Sequence, residues 1–557
     1  MQASPERPGR RAQLLDRLTA RLLQLPCPLT DYQVHRALPV TARDGVTLLT
    51  DVYEPVTSTA RGTVLMRGPY GLGFPADLLQ ARILAGQGYH VVNQSCRGTF
   101  GSGGEFDPFI NEFADGQDTM AWLRAQPWFD GRLATFGTSY LAWTQWALLT
   151  DPPPELRTAM VTFGLHDFAD FAWGSGAFTL NDLLAWSESV VNQERFGTLR
   201  AIQRQATVVR RIRPAVDALP LTASAERVLG SRAPWFRHWV EHPDPSDPFW
   251  CSYRATAALE RTSVPVMILG GWQDIFLGQT FDQYRALRDR GIHVGLTVGP
   301  WAHARIGLGS IRKMMQESLD WLAVHLAGDD IRTRKTASVQ IFVGGSDEWR
   351  QLEEWPPPAV EHRLQLQEAG RLAVQPSEER SGSTFVYDPA DPTPSVGGRL
   401  LTVDAGVKDN RDFEARPDVL IYTTEPLTAP LEIVGTPVIK LDHSSDNSHA
   451  DLAVRLCDVD PKGRSRNFCD GYLRLDPARD RDETTVELIL DPCAYRLAVG
   501  HRLRLQIAGG AHPHYGRNEG TGEAYGSGAN LRTCTHTIRH GGVLQSFLSL
   551  PTTPSFT

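Results

Sequence analysis

A chain of 557 residues exceeds what one hydrophobic core can serve and implies two or three domains, while 41% hydrophobic and 22% charged residues describe a globular protein with a large interior. A net charge of −8 and a pI near 6.1, with no lysine or arginine run, argue against nucleic acid as a partner. The seven cysteines are odd in number and scattered without a Cys-x-x-Cys pair, which predicts reduced core thiols in a cytoplasmic protein and neither a disulfide frame nor a zinc site.

Between Met1 and Leu25, arginines interleave with Leu14, Leu15, Leu18, Leu22 and Leu23. That spacing predicts an amphipathic helix packed on its own domain, and it lacks the continuous apolar core of a secretory signal. No stretch approaches the roughly 20 apolar residues that span a bilayer. Strands and helices then alternate. Val46–Tyr53 reads as a half-exposed strand, and Gly62–Arg67 and Tyr89–Gln94 read as buried ones with an Ala/Leu-rich helix between them. Gly98, Gly101, Gly103 and Gly104 follow a strand, but their spacing is not a dinucleotide fingerprint and predicts a turn.

The apolar run Leu133–Phe136 leads into Gly137-Thr138-Ser139-Tyr140 and then Leu141–Leu149, so a serine stands where a strand turns sharply into a helix. Such an elbow lifts the hydroxyl clear of the backbone, and the helix N-terminus offers peptide N–H groups to a developing oxyanion. The motif departs from Gly-x-Ser-x-Gly, with Leu141 at the second position after the serine. Asp151 to about Tyr253 interrupts the alternation with helical segments rich in tryptophan and arginine, where a cap over a pocket would sit. Strands then resume. Val264–Gln273 delivers Asp274 to its C-terminal end, and Val294–Val298 is followed by Gly299-Pro300-Trp301-Ala302-His303.

Serine, aspartate, histidine is the chain order of α/β-hydrolases. Singly, Asp274 reads equally as a turn former and His303 as a satisfied loop side chain. Together with Ser139, each at a strand end, they point to one site. His90 and His293 begin strands and so lie at the opposite sheet edge, while His166 is a weaker rival. After about Thr336 the chain turns to short β-rich runs such as Ser338–Val343, Val438–Leu441 and Arg502–Ile507, which predict a β-sandwich or jelly roll. Asp458–Gly463 opens like a calcium loop, but Lys462 replaces an oxygen ligand and Cys469 stands at the twelfth position, so it reads as a hairpin turn. No metal or other cofactor is expected.

These residues resemble the cocaine esterase (CocE/NonD) group of serine hydrolases, related to Xaa-prolyl dipeptidyl peptidases and α-amino-acid ester hydrolases. The likeness runs from Arg43-Asp44-Gly45-Val46 and Asp51–Pro55 through Gly137–Leu141, Gly271–Asp274 and Gly299–His303 to Tyr387–Pro392, Asp458–Arg464 and Arg517-Asn518. It implies an α/β-hydrolase domain over 41–150 and 256–335, a helical cap over 151–255, and a jelly roll over 336–557. Residues 1–40 extend beyond it. The resemblance also implies that Tyr70, in Arg67-Gly68-Pro69-Tyr70, donates its phenol to the oxyanion beside the backbone N–H of Tyr140, and that Trp173 and Phe276 wall the pocket.

The reaction expected is hydrolysis of a small-molecule ester, with Ser139 as nucleophile, His303 as base and Asp274 as its orienter. Amide or peptide cleavage, or hydrolysis of amino-acid esters, uses the same machinery. Relatives that select a free α-amine need a carboxylate cluster near the pocket, and none is identifiable from sequence. A ligand-binding protein on a hydrolase scaffold is the alternative of another class. The family also allows a homodimer.

Overall fold

The first of two sheets carries the candidate site, and its strand order explains where the site lies. The computed structural model describes residues 5–72, 76–196, 203–305, 307–330, 338–478, 484–541 and 546–553. Ten strands form this sheet: β1 (Tyr32–Thr41), β2 (Thr47–Pro55), β3 (Thr63–Gly68), β4 (His90–Ser95), β5 (Leu133–Thr138), β6 (Leu156–Thr162), β7 (Val266–Gln273), β8 (Val294–Ala302), β9 (Val339–Val343) and β10 (Glu348–Leu352). Their spatial order is β1-β2-β4-β3-β5-β6-β7-β8-β9-β10, parallel from β4 to β9, with antiparallel pairs at both margins.

Every residue of β3, β4 and β7 is buried, as expected of parallel strands covered on both faces. Alternation sends Leu65, Val92, Val161 and Ile268 to the core shared with the inserted helices, and Val64, Val91, Met160 and Met267 to the core on the other face. The C-terminal ends of β5, β7 and β8 therefore open on one edge.

Three features differ from the sequence reading. Leu156–Thr162, placed in the cap, is β6 of this sheet, so the insertion proper lies between Thr162 and Val266. Ser338–Val343, taken as the start of the second domain, pairs with β8 as β9, and the expected boundary at 335/336 lies outside the described residues. The first helix, Arg10–Leu22, does form, but it turns Ala20 and Leu23 inward and leaves Leu14, Leu18 and Leu22 more than half exposed. Its inner side is held by Asp16, which pairs with Arg82 at 2.7 Å and accepts from the Tyr32 hydroxyl at 2.9 Å. A half-buried ion pair, rather than the leucine stripe, fixes which side faces the protein. β1 then takes most of its residues from the predicted extension and zips onto β2.

Among the described residues the second sheet has 13 strands between Val360 and Thr552, nearly all antiparallel, around a separate apolar core. Asp458–Gly463 is the hairpin turn between strands Asp451–Val459 and Ser465–Arg474, where Asp460 accepts from the Lys462 and Arg464 N–H groups. The cysteines are unpaired; five are buried, whereas Cys27 and Cys251 are exposed and are not core thiols. Among the described residues no helix is long and apolar enough to cross a membrane.

Candidate active site

Ser139 holds φ 62° and ψ −121°, a left-handed conformation that a side-chain-bearing residue adopts only under constraint. The constraint is packing. A Cβ on Gly137 would stand 2.3 Å from the Leu141 Cβ, and one on Gly68 would stand 2.3 Å from the Leu141 Cδ1. The leucine at the motif's unusual position therefore fills space that two glycines vacate on neighbouring strands. Helix Tyr140–Leu149 starts immediately after the serine, and the Tyr140 N–H is one of the donors that helix geometry leaves without an intrahelical acceptor.

The His303 Nε2 lies 2.9 Å from the Ser139 Oγ, and its Nδ1 lies 2.5 Å from the Asp274 Oδ1. Asp274 is fully buried, and its second oxygen accepts the Phe276 N–H at 3.1 Å. With the carboxylate fixed on Nδ1, the imidazole can present an unprotonated Nε2 to the hydroxyl. The rings of Phe276 and Phe163 meet the imidazole edge-on at 5.3 and 6.1 Å and limit its rotation. His90 instead stacks on Trp128, His293 packs beside Trp321 and His325, and buried His166 contacts Gln283.

Tyr70 follows the end of β3. Its oxygen accepts the Trp186 indole N–H at 3.0 Å and also shares a hydrogen bond with Ser139, while the surrounding protein pushes the phenol up to about 12. The phenol thus stays protonated at neutral pH, with one lone pair occupied by the indole.

Two connected spaces adjoin the hydroxyl. One, of about 310 Å³, is bounded by Tyr70, Trp186, Glu188, Arg204, Arg211 and His303. There Arg211 grips Glu188 through two bonds of 2.7 and 2.9 Å, and Arg204 pairs with the same carboxylate. The other, of about 30 Å³, is an aromatic slot formed by Phe109, Phe168, Phe171, Trp186, Phe276 and Leu401, among others. Asp182 reaches into this slot; its Oδ1 accepts the Leu401 N–H at 2.9 Å and the Asn181 amide at 2.8 Å. Burial pushes its carboxyl up to about 6, with His303 and Arg399 favouring the charged form.

Of the two pocket walls expected from sequence, Phe276 lines the slot. Trp173 is buried in the cap interior, where its indole donates to the Trp239 carbonyl at 2.8 Å and packs on Phe178 and Tyr525. Trp186 takes the position at the wall. Asp182, Trp186 and Glu188, which sequence reading missed, all lie on the helix Leu180–Asn192. Asp182 and Trp186 are four residues apart and share a face, so an acid on an apolar stripe was the available signal. Leu401 comes from the C-terminal domain and left no local trace.

Residues 44–305 match the family model described as X-Pro dipeptidyl-peptidase (S15 family), and residues 332–549 match that of the X-Pro dipeptidyl-peptidase C-terminal non-catalytic domain. The chain is 30% identical to the cocaine esterase of Rhodococcus sp. (strain MB1 Bresler), over 94% of its own length and 99% of that protein's. In fold it is similar to an aminopeptidase from the marine sediment archaeon Thaumarchaeota archaeon, with a TM-score of 0.79, 23% identity, and coverage of 94% of this chain and 97% of that one. A CocE/NonD family hydrolase from Staphylococcus aureus superposes with a TM-score of 0.68 at 18% identity, covering 94% of both chains. The chain belongs to the cocaine esterase-like (CocE/NonD) family of serine hydrolases.

Proposed function

We propose that the protein hydrolyses a small carboxylic ester through an acyl-enzyme on Ser139. The hydroxyl attacks the ester carbonyl while His303 takes its proton, and Asp274 holds the imidazole and stabilises its charged form. The Tyr70 phenol and the Tyr140 N–H receive the oxyanion of the tetrahedral intermediate. His303 then protonates the departing alkoxide, and a water deprotonated by the same imidazole releases the acid. The observation that carries this reading is the continuous relay from Ser139 to His303 to Asp274, at 2.9 and 2.5 Å, on a strained elbow that opens into the aromatic slot. The cocaine esterase relative supports ester chemistry.

The test is turnover of 4-nitrophenyl butanoate by the wild type and by Ser139→Ala. The proposal expects turnover in the wild type and only background in the variant, at unchanged melting temperature. Equal rates would refute it.

The reading extends to the setting. A jelly roll for the C-terminal domain is supported by its nearly all-antiparallel pairing, and a reducing, cytoplasmic location by seven unpaired cysteines. The homodimer allowed by the family is tested by light scattering.

A further inference from the structure

The helix Arg10–Leu22 presents a face that the protein leaves uncovered, and the residues on that face say what would cover it. At about 100° per residue, Asp16, Thr19, Ala20 and Leu23 share one side. That side is turned inward: Thr19, Ala20 and Leu23 are buried, and Asp16 is held by Arg82 and the Tyr32 hydroxyl. The same spacing divides the outer side lengthwise into two rows. Leu14, Leu15, Leu18 and Leu22 form an exposed apolar row, and Arg10, Arg17 and Arg21 form an exposed basic row beside it, with exposed Arg11 among the leucines. The only acid of the helix, Asp16, is on the inner side, so its outer surface carries four cations and no anion, on a chain of net charge −8. Leu29, just beyond the helix, is exposed as well, and Asp31, which borders a surface cavity together with Arg17, offsets one of these charges. Single exposed leucines are ordinary, but a continuous row of them marks a contact surface.

We infer that this helix is a membrane-surface anchor, lying along an anionic lipid surface with its leucines at the acyl boundary and its arginines at the headgroups. At 13 residues it lies on such a surface and does not cross it. Because Asp16, Arg82 and Tyr32 fix the inner side, both rows face outward with no rearrangement. A second copy of the chain is the other occupant that a leucine row invites. Pairing two such helices along their leucines would set Arg11 of each in the apolar seam and bring the two basic rows together, with no acid on either outer face to neutralise them. An anionic surface meets both demands at once, since its acyl region takes the leucines out of water and its headgroups supply the missing negative charge. Arginine side chains also reach from the apolar boundary to the headgroups, which accommodates Arg11 among the leucines. The acidic remainder of the chain is repelled by the same surface, so attachment depends on this helix and weakens with salt.

The test is co-sedimentation of the full chain with vesicles of phosphatidylcholine alone, or of phosphatidylcholine with about one third phosphatidylserine. Partitioning onto the anionic vesicles should exceed that onto the neutral ones by about tenfold or more, and should fall as salt rises from about 0.1 to 0.5 M. Arg10→Gln, Arg17→Gln and Arg21→Gln, combined in steps, should lower it by about fivefold for each arginine removed. The triple variant Leu14→Ser, Leu18→Ser, Leu22→Ser should lower it by about a hundredfold or more. These side chains are exposed, so every variant should keep the melting temperature of the wild type. Equal binding to neutral and anionic vesicles, binding that the leucine changes leave intact, or no binding to either vesicle would each overturn the inference. So would a dimer in light scattering that the leucine changes dissolve, because a second copy would then cover the row.

Discussion

Tyr70 and Asp182 are two acids in one pocket with opposite tasks. Each can be changed by a single atom. The Tyr70 phenol is held protonated and is steered by the Trp186 indole. Tyr70→Phe should therefore lower kcat for ester hydrolysis by about 10²–10³, the usual cost of removing one oxyanion donor. Unchanged kcat would remove the phenol from the mechanism. The Asp182 carboxyl is raised from 3.8 to about 6, chiefly by burial. It binds its proton more tightly in the folded than in the unfolded chain, so its contribution to stability is full below about pH 4 and is lost as pH rises through about 6. That displacement corresponds to about 3 kcal/mol. Asp182→Asn, which has no charge to bury, should thus be more stable than the wild type at pH 8, with the gap closing toward pH 4 in urea titrations. A gap independent of pH would show that the carboxyl is not ionised at a cost.

The elbow depends on an element behind it. Arg67, at the end of β3, and Glu112, at the start of helix Glu112–Arg124, form a buried ion pair at 3.0 Å. Glu112 also accepts from the Tyr140 hydroxyl at 3.1 Å, and that hydroxyl accepts the Phe109 N–H at 2.7 Å. The residue after the nucleophile is thereby anchored to both neighbouring elements. Glu112→Gln removes the carboxylate paired with the buried guanidinium and should destabilise the fold by about 3–5 kcal/mol, measured as a lower urea midpoint. A change under 1 kcal/mol would mean that the pair is not uncompensated when broken. The parallel strands that deliver Ser139, Asp274 and His303 were legible because strands covered on both faces read as unbroken apolar runs. β6 was not, because Arg157 interrupts it and Asp-Pro-Pro-Pro precedes it. The first helix was read correctly as a helix and wrongly in its facing, since periodicity finds a stripe but the Asp16–Arg82 pair decides which side packs. The pocket residues Asp182 and Glu188 on helix Leu180–Asn192 were hidden for a related reason: their partners, Leu401 and Arg211, come from elements distant in the chain.

The two domains meet at the pocket, so the C-terminal domain is part of the site. Leu401 lines both spaces beside Ser139, and Arg399 bonds Asp491 at 2.6 Å while reaching the Ile275 carbonyl next to Asp274. Further bonds run from Asn181 to Pro513 and from the Arg517 guanidinium to the Asp217 carbonyl in the cap. Leu401→Ala should open the slot. The preference for short over long acyl chains, read as a ratio of kcat/KM values, should fall by about tenfold, the scale of a few methylene groups in an apolar pocket. An unaltered chain-length profile would place the selecting wall elsewhere. The central claim is that three side chains spread over 165 residues of sequence, from 139 to 303, act as one nucleophilic unit. The most direct measurement is mass mapping of the adduct formed with a fluorophosphonate. The account predicts a single modification on Ser139, which disappears in Ser139→Ala and slows severely in His303→Ala. An unmodified Ser139 under conditions that label an authentic serine hydrolase, or a modification that persists undiminished in His303→Ala, would contradict it.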